Sequence, residues 1–245
     1  MLELEKISTA GQPAFQEQRE YWDERWNRQR RPNDWQLRRG QTILELARDL
    51  RLKDPKILDL GCATGWFTAQ LSGLGKDVTG IDLSEGAIKL AQRDFPEIHY
   101  IAGNIFEMNL PAESMDLVVS QEVIAHVPDQ HELVRRIARL IKPDGYLIIS
   151  TANKFVIERW DMGPDPDRHI KQWLTMKSFK KVLKPHFRIL KGLSIIPIGD
   201  RGILRFLSSY RFNAMLRPLL SGDQIEWLKE KAGLGYSLIL LAQKK

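Results

Sequence analysis

The sequence predicts an α/β protein, a mostly parallel sheet with helices on both faces, preceded by an N-terminal helical addition. Three observations carry this. Short apolar runs alternate with helical patterns of roughly ten residues from Lys56 onward, as crossover-connected parallel strands require. A glycine-rich turn follows the first of those runs, where an open parallel sheet places its ligand. Residues 13–50 instead repeat their apolar positions at helical spacing.

Within that first stretch Phe15, Tyr21, Trp22, Trp26 and Trp35 supply aromatics, and Ile43, Leu44, Leu46, Ala47 and Leu50 form an apolar stripe. Pro32-Asn33 separates two helices. Lys56–Leu60 is the first strand, Trp66–Leu74 a helix, and Val78–Ile81 the second strand. Ser84 can cap the next helix, through Ala87, Ile88, Leu90 and Ala91. His99–Ile101 and Met115–Ser120 are strands, Asp129–Ile141 an amphipathic helix, and Pro143-Asp144-Gly145 a turn into the strand Tyr146–Ser150. Beyond residue 160 the pattern loosens, with a helix at Thr175–Leu183, a strand at Phe187–Pro197 and a closing strand at Tyr236–Ala242.

Composition narrows the classes. The chain has 245 residues, 43% hydrophobic and 28% charged, which suits a globular core and not a disordered chain. No apolar run approaches the roughly 18 to 20 residues of a membrane span. The N-terminal residues Met1–Lys6 lack the basic and apolar regions of a secretory signal. Cys62 is the single cysteine, so no internal disulfide or cysteine metal cluster is available. A cytoplasmic protein is expected. The net charge of +6 is mildly basic, compatible with an acidic substrate, nucleic acid or an anionic membrane surface.

The candidate ligand site begins at Leu58-Asp59-Leu60-Gly61-Cys62-Ala63-Thr64-Gly65. Glycines 61 and 65 let the backbone turn sharply and approach a ligand. Asp82 ends the second strand, placed to accept ribose hydroxyls. A dinucleotide fingerprint wants a third glycine where Trp66 stands, and no G-x-x-x-x-G-K-[ST] phosphate loop is present. An adenosine-like ligand without a pyrophosphate points to S-adenosylmethionine.

Asp59–Gly65, Gly80-Ile81-Asp82-Leu83-Ser84 and Ile141–Leu147 resemble three ordered motifs of class I S-adenosylmethionine-dependent methyltransferases, over roughly residues 50–155. Ala63 and Asp144 stand where that family has glycines. Ser120–Asp129 is similar to the small-molecule O-methyltransferases of ubiquinone biosynthesis. The resemblance implies a Rossmann-like, seven-stranded sheet with its last strand antiparallel, a helical addition over 1–50 and one methyltransferase domain over 51–245. It also implies cofactor contacts. Asp59 and Gly61 line the methionine end, and Cys62, Ala63 and Gly65 of the same loop bind the cofactor. Asp82 serves the ribose, Leu83 and Ile105 sandwich the adenine, and Asn104 lies near its amino group. Gln121 approaches the cofactor and Arg39 reaches its carboxylate. Ordinary core packing is the competing reading for Leu83 and Ile105.

Methyl transfer is an in-line displacement, so alignment does most of the work and a base helps a hydroxyl acceptor. His126, after strand four, and His169, after strand five, are the base candidates; each could instead brace its loop. The relatives' Glu-x-x-Glu-His pattern reads here Glu122, Ala125, His126, so one carboxylate is missing and no required metal is expected. Trp22, Trp26 and Trp35 form either a lid or a hydrophobic staple. Residues 203–220, apolar and basic together, form an acceptor cover, a peripheral membrane contact or core. The expected activity is methylation, at oxygen, of a small or lipid-linked acceptor, releasing S-adenosylhomocysteine. A nucleic-acid (RNA) methyltransferase is the alternative, disfavoured because Gln121-Glu122-Val123-Ile124 replaces an Asn/Asp-Pro-Pro-aromatic motif. A non-catalytic S-adenosylmethionine-binding protein is the other.

Overall fold

A computed structural model describes residues 15–160 and 169–245; the N-terminal positions 1–14, and Asp167-Arg168 before His169, lie outside the described residues. Two helices come first, α1 (Phe15–Arg28) and α2 (Asp34–Asp49), divided at Pro32-Asn33 as the breaker signal predicts. Asn33 caps α2 with a capping box, its side chain accepting the Gln36 amide while the Gln36 side chain takes the Asn33 amide. The strand–helix alternation then runs β1 (Lys56–Leu60), α3 (Trp66–Leu71), β2 (Asp77–Asp82), α4 (Glu85–Asp94), β3 (His99–Ala102) and β4 (Met115–Gln121). A 3₁₀ turn at Ile124–His126 leads to α5 (Gln130–Leu140), β5 (Ile141–Ala152), α6 (Lys154–Ile157), α7 (Met176–Leu183) and β6 (Phe187–Pro197). The remainder is α8 (Gly202–Ser208), α9 (Tyr210–Leu216), α10 (Gly222–Lys231) and β7 (Gly235–Lys244).

The seven strands stand in the order β3-β2-β1-β4-β5-β7-β6, with only β7 antiparallel to its neighbours. That is the Rossmann-like sheet the sequence motifs imply. Strands buried on both faces sort their side chains by alternation. Leu58, Val118, Leu147 and Ile149 meet Leu133, Val134 and Ile137 of α5 and Phe179 and Val182 of α7. On the opposite face Ile57, Leu117, Val119, Ile148 and Ile239 meet Ile43, Leu44, Leu46 and Ala47 of α2 and Phe67 and Leu71 of α3. The stripe on α2 thus belongs to the central core.

One local difference from the sequence reading has a simple cause. The pairing of β5 with β4 jumps from Met115↔Ile141 to Leu117↔Tyr146, so the strand begins early and the Pro143-Asp144-Gly145 turn bulges out of it, Asp144 at φ +60°. The 203–220 segment forms α8 and α9. Leu204 alone of α8 is buried and no residue of α9 is.

The order reverses between β1 and β4, and the chain leaving β1 must turn sharply there. Gly61, Ala63 and Gly65 all adopt left-handed backbone, at φ +82°, +50° and +80°. A Cβ on Gly65 would lie 2.6 Å from the Tyr100 hydroxyl and 2.9 Å from Ala91 Cβ. Ala63 carries a Cβ through a conformation that costs roughly 1–2 kcal/mol in an L-residue. The alanine for glycine exchange is therefore a source of strain. Gly65→Ala should lower unfolding free energy in urea by at least about 1–2 kcal/mol, and Ala63→Gly should raise it or leave it level, since relief of strain exceeds the roughly 0.5–1 kcal/mol of added chain entropy. A stabilised Gly65→Ala protein would contradict this description of the loop.

Candidate active site

The carboxyl ends of β1, β2 and β4 open into a cavity of about 440 Å³, covered by α1 and α2. Its floor is acidic. Asp59, at the end of β1, is buried, and the Thr68 hydroxyl of α3 donates to its Oδ2 at 2.7 Å. Asp82, at the end of β2, accepts the Ala63 amide on Oδ2 at 2.8 Å and the Ser84 amide on Oδ1 at 2.9 Å. Burial pushes the Asp59 carboxyl up to about 7, with the Thr68 hydrogen bond opposing and the Asp82 charge adding. Burial also raises Asp82, against the amides of Ser84 and Ala63, and the nearby Asp23 charge raises it further. Buried in the same loop, the Cys62 thiol is held well above its ordinary range by burial and then by the two aspartates, which disfavours the thiolate.

The α1 cover is fastened beside this floor. Asp23 Oδ1 accepts the Ser84 hydroxyl and, at 2.9 Å, the Gly86 amide, which places a carboxylate at the first turn of α4. Phe15 meets Phe106 at 6.0 Å between ring centres. Farther along α1, Trp22 stands edge-on to His126 at 5.1 Å and to His169 at 5.5 Å, and Tyr21 stacks flat on His169 at 4.2 Å. Trp22, Trp26 and Trp35 all face the cavity, and Trp35 also contacts Trp160 and Tyr236.

The chain after β5 is stitched to the turn after β4. The Gln172 amide donates to the Ala125 carbonyl at 2.8 Å, and Gln130 Nε2 donates to the carbonyls of Ile124 and Gln172. His126 Nδ1 sits 2.7 Å from the Ile170 carbonyl. A carbonyl can only accept, so Nδ1 carries the proton and, in the neutral ring, Nε2 is the acceptor.

On the β4 side, Arg39 of α2 is buried; its Nε donates to Gln121 Oε1 at 3.2 Å and its Nη1 lies 3.4 Å from Glu122 Oε1. Glu122 has φ +59° and takes the hydroxyls of Ser150 and Ser237 on the same oxygen, at 3.1 Å each. A left-handed glutamate stores strain of about 1–3 kcal/mol. Among the described residues no group of three or more His, Cys, Asp and Glu side chains is arranged to hold a metal.

The cavity gathers nearly every residue singled out from sequence: Arg39, Asp59, Gly61, Cys62, Ala63, Asp82, Leu83, Asn104, Ile105, Gln121, His126 and His169 all line it. Gly65 does not. It begins α3 behind the loop, against Tyr100 and Ala91. Phe106, Trp173 and Gln18 line the cavity and were not anticipated. Gln18 and Trp173 sit in segments without a motif, whereas Phe106 directly follows the Asn104-Ile105 pair.

The raised Asp59 carboxyl has a consequence for stability. Its unfolded value is the ordinary 3.8 and its folded value about 7, so the folded chain binds the extra proton between them. Its contribution is complete below the lower value and is lost as pH rises through about 7. Asp59→Asn should therefore gain stability relative to the native chain from about pH 5 to pH 8, by roughly 1.4 kcal/mol for each pH unit up to the folded value. Urea midpoints for the two proteins that run parallel across that range would refute it.

Similarity to known proteins agrees with this architecture. A family described as a methyltransferase domain matches residues 58–149. The ubiquinone biosynthesis O-methyltransferase of Azorhizobium caulinodans is 36% identical over 115 residues, 45% of this chain and 46% of that protein. The chain spans about half the length of this relative and of the one from Bordetella avium, at 46% and 49%. The N-methyltransferase NodS of Bradyrhizobium japonicum WM9, solved with S-adenosylhomocysteine, has the same fold, with a TM-score of 0.59 and 19% identity over 86% of this chain and 88% of that one. The ubiquinone biosynthesis O-methyltransferase of Idiomarina loihiensis is 32% identical over 179 residues, 70% of this chain and 71% of that protein. With that coverage, and with the strand order and glycine loop described above, the chain belongs to the S-adenosylmethionine-dependent methyltransferase family that includes the ubiquinone biosynthesis O-methyltransferases.

Proposed function

We propose that this chain methylates an oxygen of a small or lipid-linked acceptor, with S-adenosylmethionine as methyl donor and S-adenosylhomocysteine as product. The observation that carries the reading is His126. A ring whose proton is fixed on Nδ1 by the Ile170 carbonyl stands on the wall of the cavity whose floor holds Asp59 and Asp82.

The cavity suits the cofactor. Its volume of about 440 Å³ falls in the usual range for small-molecule sites. Asp82 uses two of its roughly four lone-pair sites on backbone amides, which leaves acceptor capacity for two ribose hydroxyls. Leu83 and Ile105 offer apolar surface for adenine, and Asn104 is the polar group beside them. Asp59 and the Gly61–Ala63 turn serve the methionine end, with Gln121 and Arg39 toward its carboxylate. The cofactor supplies an electrophilic methyl group. The protein's task is alignment, which can account for about 7–11 kcal/mol of such a barrier. The aromatic cover of α1 excludes water, and His126 Nε2 takes the proton from an acceptor hydroxyl. His169, stacked under Tyr21, braces that wall.

The test uses two variants. Asp82→Ala should weaken S-adenosylmethionine binding by roughly 10- to 150-fold, the loss of a charged acceptor. His126→Gln should leave that affinity nearly unchanged, lower turnover by about 10²- to 10⁴-fold, and abolish the rise of rate with pH through the histidine's titration. Turnover of His126→Gln with a native pH profile would end the base assignment, and the same loss in His169→Gln alone would move it there.

A second surface favours a lipid-linked acceptor. Ile203, Phe206, Tyr210, Met215 and Leu219 are all at least half exposed on α8, α9 and the turn after them, with Arg205, Arg211 and Arg217 exposed among them. Apolar side chains interleaved with arginines complement an anionic bilayer surface; among the described residues no helix is long and apolar enough to cross a membrane. The protein should sediment with vesicles containing anionic lipid, less at high salt, and the triple change of Arg205, Arg211 and Arg217 to glutamate should abolish this without altering cofactor affinity. Absence of sedimentation with any vesicle composition would remove the membrane from the reading.

A further inference from the structure

Gln121, the last residue of β4, and Glu122 directly after it act on one side chain. In a regular strand consecutive residues point to opposite faces, so Gln121 and Glu122 should diverge. They converge instead. Gln121 Oε1 accepts Arg39 Nε at 3.2 Å, and Glu122 Oε1 lies 3.4 Å from Arg39 Nη1. What brings them together is the left-handed turn at Glu122, φ +59°.

That turn is held from below. The Glu122 amide donates to the Ser150 carbonyl at 3.2 Å and to the Ser150 hydroxyl at 3.3 Å, and Glu122 Oε1 receives the hydroxyls of Ser150 and Ser237. Both serines are fully buried, on β5 and β7. One carboxylate oxygen, Oε1, thus takes both serine hydroxyls from the sheet and also faces the buried Arg39 guanidinium. A guanidinium is planar with five N–H donors, so acceptors on Nε and Nη1 fix its plane and direct the donors that remain. Arg39, Gln121 and Glu122 all line the cavity.

We propose that Glu122 is a positioning residue: anchored by Ser150 and Ser237, it holds the Arg39 guanidinium in the orientation that receives a ligand carboxylate. This rests on the reading of Arg39 as the partner of the cofactor's carboxylate. The relatives' sequence pattern suggests a metal role for the equivalent glutamate; in this chain Ala125 replaces the second carboxylate of that pattern, and Glu122 is engaged with a cation of its own.

The experiment is calorimetric titration of the full chain with two probes. S-Adenosylhomocysteine carries the amino-acid carboxylate; 5′-methylthioadenosine has the same nucleoside and thioether without it. Arg39→Met should weaken the first by roughly 10- to 150-fold and leave the second unchanged. Glu122→Gln keeps the size of the side chain and an acceptor for the serine hydroxyls. It should weaken the first by about 5- to 10-fold, again sparing the second. The double variant should bind like Arg39→Met alone, because a residue that acts through another adds nothing once that other is gone. Ser237→Ala, away from the ligand, should reproduce a smaller loss with the same selectivity, and serves where Glu122→Gln folds poorly.

Glu122→Gln with unchanged or tighter S-adenosylhomocysteine binding would overturn the proposal, as would equal losses for both probes or additive losses in the double variant. If Arg39→Met leaves the ratio of the two affinities unchanged, the reading of Arg39 itself fails. That outcome is separate from a failure at Glu122.

Discussion

The burial of two carboxylates at adjacent strand ends shapes the ligand-binding half of this protein. Asp59 and Asp82 close β1 and β2, which run side by side in register, and among the described residues no cation forms an ion pair with either. Hydrogen bonds moderate the cost of removing such groups from water. Thr68 is available to Asp59 because α3 begins directly after the glycine turn, and the Ala63 amide reaches Asp82 only because the turn folds back from β1 toward β2. The left-handed residues at 61, 63 and 65 are the geometric expression of that return. Loop shape, helix placement and carboxylate burial are therefore one constraint. Even so burial prevails, and it pushes the Asp59 carboxyl up to about 7.

The covering helices answer the same constraint from the other side. Asp23 places another carboxylate near Asp82, stabilised by the amide of Gly86 at the start of α4 and not by a cation. That bond fixes where α1 enters, and the helix then carries Tyr21 and Trp22 over His126 and His169. Across the cavity α2 supplies Arg39, whose charge is balanced by Glu122. The cavity is consequently polarised, with protonatable acids along β1 and β2, an ion pair at β4, and aromatic rings and histidines above. A ligand with a cationic centre and a carboxylate at one end of an apolar nucleoside matches that distribution of charge.

Much of this was legible in the sequence because it is local. The β1 glycine turn, Asp82 at the end of β2, the Pro32-Asn33 break and the Ser84 cap are all short-range patterns, and each stands where its pattern places it. The apolar stripe of α5 was legible for the same reason. Partners distant in sequence were not. Arg39 meets Gln121 from 82 residues away and Glu122 meets Ser237 from 115, and no spacing rule connects such positions. The helix α10 carries a weak apolar stripe with one buried residue, Ile225, so periodicity missed it, although its Ser221–Gln224 capping box was there to be read. Gly65 belongs to the β1 glycine turn but does not line the cavity, and its left-handed backbone and the closeness of Tyr100 and Ala91 give the glycine a local reason as well.

The strained residues divide by what their side chains do. Glu122 and Ala63 both hold left-handed backbone next to the point where the sheet reverses order. At 122 the strain has a reason in the side chain. Glycine would relax the backbone there but would remove the carboxylate that joins β5, β7 and Arg39, and would leave two buried serine hydroxyls without their acceptor. At 63 the contribution to the site is the backbone amide on Asp82, which any residue but proline can supply. The buried methyl group makes no hydrogen bond, so the strain at Ala63 serves no polar contact that glycine would lose. The same backbone outlier thus marks a working side chain in one case and only the path of the chain in the other. What separates them is whether the side chain completes a buried polar network.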